Sequence, residues 1–347
     1  MVLVLRALGL GDALTGVPAL RGLRRGRPGS LLVLAGPPGP GELLRRRGAV
    51  DRVLPVDGVR ALDEGAVLAS VHEHPQVLPP GRCVELAVNL HGRGPQSARA
   101  LRALLDERGR ETAQVLGHRC PPAGLEDGPE WDPDAPEVER WVRLVSGAGG
   151  ACSAADLALP PPVDGATGAA GAPPADLEGA VVLHPGAASA SRRWPVERWA
   201  AVAGHLLARG SRVVLTGGPA EAVLTAEVAR LATVRRPGRQ GPVDLAGRCD
   251  LEQLAGLLAE ARGLVCGDTG VAHLATALRT PSVLLFGPVP PSAWGPAVDH
   301  HLHRVLWSAA PGYRGDPHGD ELDPALAATT VADVLTALAQ LPPRPQP

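Results

Sequence analysis

The sequence predicts an α/β chain built from two Rossmann-like domains in series, each a parallel sheet covered by helices. Three observations carry this. Short aliphatic runs alternate with longer amphipathic stretches along nearly the whole chain, the pattern of parallel strands joined by helical crossovers. The alternation breaks once, over a Pro- and Gly-rich stretch, and then restarts. The length, 347 residues, suffices for two cores of ordinary size.

In order, the apolar runs Val2–Leu5, Leu31–Ala35 and Leu86–Leu90 read as buried strands. Thr15–Arg25 and Gln96–Leu105 read as helices, because Leu and Ala recur there at three- and four-residue spacing. A first domain is therefore expected over 1–159, and the aperiodic stretch 160–179 reads as a linker. The second domain, 180–341, opens with strand Ala180–His184, helix Val196–Ala208, strand Arg212–Thr216 and helix Ala220–Ala232. Helix Leu251–Ala261, strand Gly263–Cys266, a helix from Gly270, strand Ser282–Phe286 and helix Thr330–Leu341 follow. The tail 342–347 is Pro-rich and expected to be disordered. In open sheets of this kind ligands sit at the carboxyl ends of the strands, so a cleft between the domains is the expected site.

Composition narrows the function. The formal net charge is −2 and aromatic residues are 2%, which argues against a nucleic-acid binder that tracks phosphates or stacks bases. The chain has no lysine, so all 34 cationic residues are arginine. A pyridoxal imine and a Walker A loop are thereby excluded. Cys83, Cys120, Cys152, Cys249 and Cys266 are scattered, with no C-x-x-C pair, as expected of reduced thiols in a cytoplasmic protein. The first apolar run ends at Arg6, too short for a signal segment, and no uncharged stretch is long enough to span a bilayer.

Three loops at strand ends are candidates for chemistry. The first is Leu8-Gly9-Leu10-Gly11-Asp12. Gly9 and Gly11 permit a tight turn, but Leu14 stands where a dinucleotide fingerprint needs its third glycine. Asp12 at a helix N-terminus is either a cap or a catalytic carboxylate. The second runs from His184 through Gly186 to Arg192, Arg193, Trp194 and Pro195, where arginine at a sheet's carboxyl edge suits a diphosphate. The third is Cys266-Gly267-Asp268-Thr269-Gly270-Val271-Ala272-His273. Its helix start offers free N–H groups and a favourable dipole to an anion without metal or lysine. Asp268 or Thr269 can also be simply its cap, and His273 in the first turn is pushed towards neutrality.

Other patterns read as ordinary surface. Asp132-Pro133-Asp134 lies in a Pro-rich loop and reads as solvated acid; His300, His301 and His303 lack accompanying carboxylates. The arginine clusters at 21–27 and 45–47 read as helix-end charge complements or as peripheral contacts to an anionic membrane surface.

Taken as a set, these pieces resemble glycosyltransferase family nine, the heptosyltransferase-like group. The carriers are the N-terminal Leu8-to-Leu20 pattern with Asp12 and Pro18, the strand-end segment Asn89 to Gly94, the H-P-G-A…R-R-W-P segment and the Cys266–His273 segment. The resemblance implies a GT-B architecture, with two Rossmann-like domains facing a central cleft, acceptor on the first and nucleotide-sugar donor on the second. It implies metal-independent, inverting transfer from a nucleoside-diphosphate sugar, typically ADP-heptose, to a glycan, lipid-linked or small-molecule acceptor, with no cofactor. By matching positions, Asp12 is the general base and Arg192 replaces a frequent lysine at the donor phosphates. Asp268, Thr269, Gly270 and His273 hold diphosphate and sugar, and Glu221 is a candidate for nucleoside contact. A nucleotide-sugar epimerase of similar fold and a non-catalytic nucleotide-sugar binder are the alternatives.

Overall fold

The computed structural model describes residues 1–57, 64–78, 83–107, 113–161, 177–234 and 240–345. Most of the predicted linker and the last two tail residues lie outside these. The chain divides into two compact units, Met1–Leu157 and Ala158–Pro347. Leu159 already belongs to the second, where its N–H donates to the Ala277 carbonyl at 2.7 Å.

The first unit contains β1 (Val2–Leu5), α1 (Leu10–Thr15), α2 (Val17–Gly26), β2 (Leu32–Gly36), α3 (Pro38–Arg46), β3 (Arg52–Pro55), α4 (Glu64–Glu73), β4 (Leu86–Asn89), α5 (Pro95–Glu107), β5 (Gln114–Leu116) and α6 (Glu137–Ser146). Its five strands are all parallel, in the order β3-β2-β1-β4-β5, with Val2 beside both Leu32 and Leu86. The central strands read as unbroken apolar runs because both faces are covered, and every residue of β1, β2 and β4 is buried. Leu3, Leu5, Val33 and Ala87 pack with Leu101 and Leu104 of α5.

The second unit contains β6 (Val181–His184), α7 (Val196–Ala208), β7 (Val213–Leu215), α8 (Ala222–Val234), β8 (Val243–Asp244), α9 (Leu251–Glu260), β9 (Gly263–Gly267), α10 (Gly270–Ala277), β10 (Ser282–Leu285), α11 (Pro291–Trp294), β11 (His303–Leu306), α12 (Pro324–Ala328) and α13 (Val331–Ala339). The strands are again parallel, ordered β11-β10-β9-β6-β7-β8. Val181, Leu183, Val265 and Val283 pack with Trp199, Val202 and Val334.

Both sheets therefore reverse their winding once. The reversal falls between β1 and β4 in the first and between β6 and β9 in the second, the positions where open α/β sheets leave a crevice for ligand.

Several elements depart from the sequence reading. The helix predicted from Thr15 begins instead at Leu10 and is interrupted at Gly16. Pro18 has no N–H to offer the preceding turn, so the ladder cannot run through. The edge strands β3, β5, β8 and β11 were not anticipated, because they are short and carry polar or proline residues, as edges do. Helices α3 and α6 also escaped notice, each entered through prolines. Helix α7 keeps the expected bounds Val196–Ala208, with Pro195 before it as the cap at φ −57°.

Candidate functional site

In the first unit the loop after β1 carries Asp12 to the reversal point. Gly9, not Asp12, caps α1. The Gly9 φ of −63° is one that any residue adopts, so the backbone does not demand glycine there. A β-carbon on Gly9 would lie 3.8 Å from the Asp12 carboxylate, and its absence keeps that approach open. Asp12 is the third residue of the helix, so it is not the N-cap residue, and from there its carboxylate reaches back to the Gly9 N–H.

Beneath Asp12 lies Arg6, a buried arginine at the end of β1. Its Nη2 donates to Thr15 Oγ1 and Glu137 Oε1, both at 2.9 Å, and reaches Asp12 Oδ1 only at 3.4 Å. Its Nε and Nη1 donate to the backbone carbonyls of Asp12 and Leu90. Glu137 is also bonded by Arg140 and by Trp141 Nε1, the latter at 2.8 Å. Arg6 lies over the Trp141 ring and Arg140 over Trp131, while His118 meets both rings edge-on.

Burial pushes the Asp12 carboxyl above its ordinary range; Arg6 pulls it back and Glu137 adds to the rise. The neighbouring His91, which accepts from the Ala7 N–H at 3.2 Å, is pushed down to about 4 by burial and by Arg6. It is neutral at pH 7. A carboxylate pushed above its usual range by burial is a stronger base for proton abstraction.

In the second unit the loops after β6, β7 and β9 converge. His184 and Cys266 are paired residues of β6 and β9, so the segments that follow them start side by side. Arg192 Nη1 donates to the Asp268 carbonyl at 3.3 Å and lies 3.9 Å from its carboxylate. Thr269 caps α10 with extended backbone but makes no side-chain cap bond. Gly270 is the first helical residue. His273, one turn in, is buried with its ring edge-on to Trp294 at 5.8 Å.

Glu221 lies after β7, where its carboxylate accepts from the Gly218 N–H at 2.7 Å. It also lies against Gly186, where a β-carbon would run into it. The structure thus joins Arg192 to Asp268 and Gly186 to Glu221. His184, at the root of this cluster, is held neutral by burial and shares a 3.0 Å hydrogen bond with the Thr216 hydroxyl.

The sequence reading singled out the Asn89–Gly94 segment that holds His91, but missed Arg6, Glu137 and a segment that buttresses the arginine loop. In that segment Pro317 accepts from Ser189, Gly319 accepts from the Ser191 N–H at 3.1 Å, and Tyr313 donates to Asp323 at 2.8 Å. The one available signal was Arg6, a charge closing a wholly apolar strand. The patterns set aside behave as surface or core. Asp132 accepts from the Asp134 N–H at 3.0 Å in a local turn. Arg45 and Arg46 pair with Glu42, Arg24 with Asp51 and Arg25 with Asp156. Among the described residues no three His, Cys, Asp or Glu side chains are grouped to hold a metal ion.

Two parallel sheets of this order, each with polar groups gathered at its reversal, define a Rossmann-like α/β protein. The chain belongs to glycosyltransferase family 9 (heptosyltransferase), whose profile matches residues 130–310. It is 36% identical over 104 residues to lipooligosaccharide heptosyltransferase 2 of Haemophilus ducreyi, 29% of either chain. It is 31% identical over 167 residues to lipopolysaccharide heptosyltransferase 3 of Escherichia coli, 47% of either chain. The chain thus spans less than half the length of these curated relatives. The solved structure of E. coli ADP-heptose lps heptosyltransferase II aligns over 97% of both chains with a TM-score of 0.73 at 22% identity. That likeness establishes the GT-B fold.

Proposed function

We propose that this protein moves a heptose-like sugar from an ADP-linked donor to a hydroxyl of a glycan acceptor, with inversion and without a metal ion. The observation that carries the donor half is the convergence of Arg192, Asp268 and the N-terminus of α10 at the reversal of the second sheet. Arginine and a helix start together offer the positive potential that a departing diphosphate requires. Glu221, beside Gly186, is the group for the nucleoside. The ADP and heptose assignments draw on family membership and on the ADP-heptose enzyme whose fold this chain shares.

In the reaction, Asp12 takes the proton from the acceptor hydroxyl as its oxygen attacks the anomeric carbon. The bond from that carbon to the diphosphate oxygen breaks on the opposite face. The electron pair leaves with ADP, whose charge Arg192 and α10 offset. Inversion follows from this single displacement.

A thermal-shift panel of ADP-, GDP-, UDP- and dTDP-sugars tests the donor. A ligand at a hundred times its Kd contributes about 2.7 kcal/mol, so an ADP-sugar should raise the melting temperature by several degrees and the others should not. Incubating ADP-heptose with and without a glycan acceptor then separates transfer from epimerisation by product mass and stereochemistry. Binding of none of the four sugars would overturn the reading.

A further inference from the structure

The groups around Asp12 contain a competition. The Nη2 nitrogen of Arg6 has two protons but faces three acceptors. Thr15 and Glu137 hold it at 2.9 Å each, while the Asp12 carboxylate stands at 3.4 Å. Glu137 is in turn fixed by Arg140 and Trp141, so it cannot swing away. Nη2 thus spends its short bonds on Glu137 and Thr15 and makes only a long contact with Asp12, whose carboxylate is otherwise held by the backbone N–H groups of Gly9 and its own residue.

We propose that Glu137 is a positioning residue for the transfer: by holding Arg6, it prevents the guanidinium from clamping Asp12 and leaves that carboxylate available to the acceptor's proton. The proposal rests on the reading of Asp12 as the base.

The other groups near Asp12 do not compete for this role. Arg140 bonds Glu137 and the carbonyls of Asp132 and Ala135. His91, after β4, is neutral near pH 7. On α2, Arg21 bonds the Asp156 carbonyl, Arg24 pairs with Asp51 and Arg25 with Asp156. On α3, Arg45 and Arg46 pair with Glu42. Burial raises the Asp12 carboxyl, Arg6 lowers it and Glu137 raises it, the signs expected of this arrangement.

The test is the pH profile of kcat/KM, whose acidic limb follows the free enzyme's base. In Glu137→Gln, Arg6 loses its compensating charge and turns to Asp12. The limb should then move to lower pH by about one unit, the lower end of the effect of an adjacent arginine, while donor KM holds. In Arg6→Gln the limb should move to higher pH. Because Glu137 acts through Arg6, the double variant should match Arg6→Gln, whereas independent effects or general structural damage would add.

Single variants that shift the limb the same way, or leave it in place while Asp12→Asn is inactive, overturn the proposal. If Glu137→Gln does not fold, Arg6→Gln decides: an upward limb supports the clamp and an unmoved or lowered limb overturns it. If Asp12→Asn keeps its turnover, the base reading fails by itself. The Asp12 carboxyl titration, followed by 13C NMR in the same variants, still decides the clamp: opposite shifts sustain it and an unmoved titration overturns it.

Discussion

Replacing Asp12 with asparagine separates chemistry from folding. Asp12 is not the N-cap residue of its helix, asparagine can keep the contact with the Gly9 N–H, and the aspartate's ion pair with Arg6 is long, at 3.4 Å. Asparagine keeps an acceptor oxygen toward Arg6 Nη2, so the change costs about 1 kcal/mol, the net worth of one hydrogen bond. Arg6 keeps Glu137, Thr15 and the Leu90 carbonyl after the change. Melting should therefore fall by no more than about 2–4 °C, the shift that 1 kcal/mol gives a unit of this size. Loss of a general base should cost roughly 10²–10⁴ in kcat, which is about 3–5 kcal/mol of barrier. The chemical effect is thus several times the structural one. Steady-state ADP release with a saturating acceptor measures it, beside a melting curve on the same sample. Near-normal turnover would refute the reasoning, as would a collapse in melting that accounts for the lost activity.

Arg192→Ala should weaken ADP-sugar binding by about 1.5–3 kcal/mol, the usual worth of a charged hydrogen bond, and titration calorimetry showing unchanged affinity would return Arg192 to a surface role. Gly186→Ala should reproduce the donor-affinity loss of Glu221→Ala, because the added methyl displaces that carboxylate; additive losses in the double variant would contradict a shared cause. Activity should survive EDTA, and abolition with rescue by a divalent cation would refute metal independence. Burial holds His303 at about 4 in the folded protein, with its ring bonded to Ser282. The unfolded chain takes up the proton near pH 6.5 and the folded chain only near 4. Stability is therefore lost as pH falls through that window, by on the order of 3 kcal/mol. Urea midpoints at pH 7 and 4.5 should show a shallower decline in His303→Asn than in wild type.

What could be read beforehand was what apolar periodicity writes plainly. The central strands β1, β2, β4, β6, β9 and β10 are buried on both faces, so their runs of Val and Leu are unambiguous. Edge strands such as Arg52–Pro55 and His303–Leu306 mix polar and apolar residues because one side lacks a partner strand, and they look like loop. Asp12, Arg192, Asp268 and His273 could be nominated because each stands just beyond a readable strand. Glu137 could not, since its link to Arg6 spans 131 positions and begins behind a run of prolines. Nor could the capping question be answered from residue type alone: aspartate in a first turn suits both a cap and the third helical position, and only the backbone of Gly9 distinguishes them.

The aromatic cluster gives the first unit an optical property. Of six tryptophans, only Trp131 and Trp141 lie within Met1–Leu157, and the single tyrosine and phenylalanine are elsewhere. Both indoles belong to the group that includes Arg6, Glu137, Arg140 and His118. The intrinsic emission of that unit therefore originates in this one cluster and nowhere else in it. With the four remaining tryptophans changed to phenylalanine, the protein would carry a built-in fluorophore confined to the Arg6–Glu137–Arg140 cluster, with no label attached.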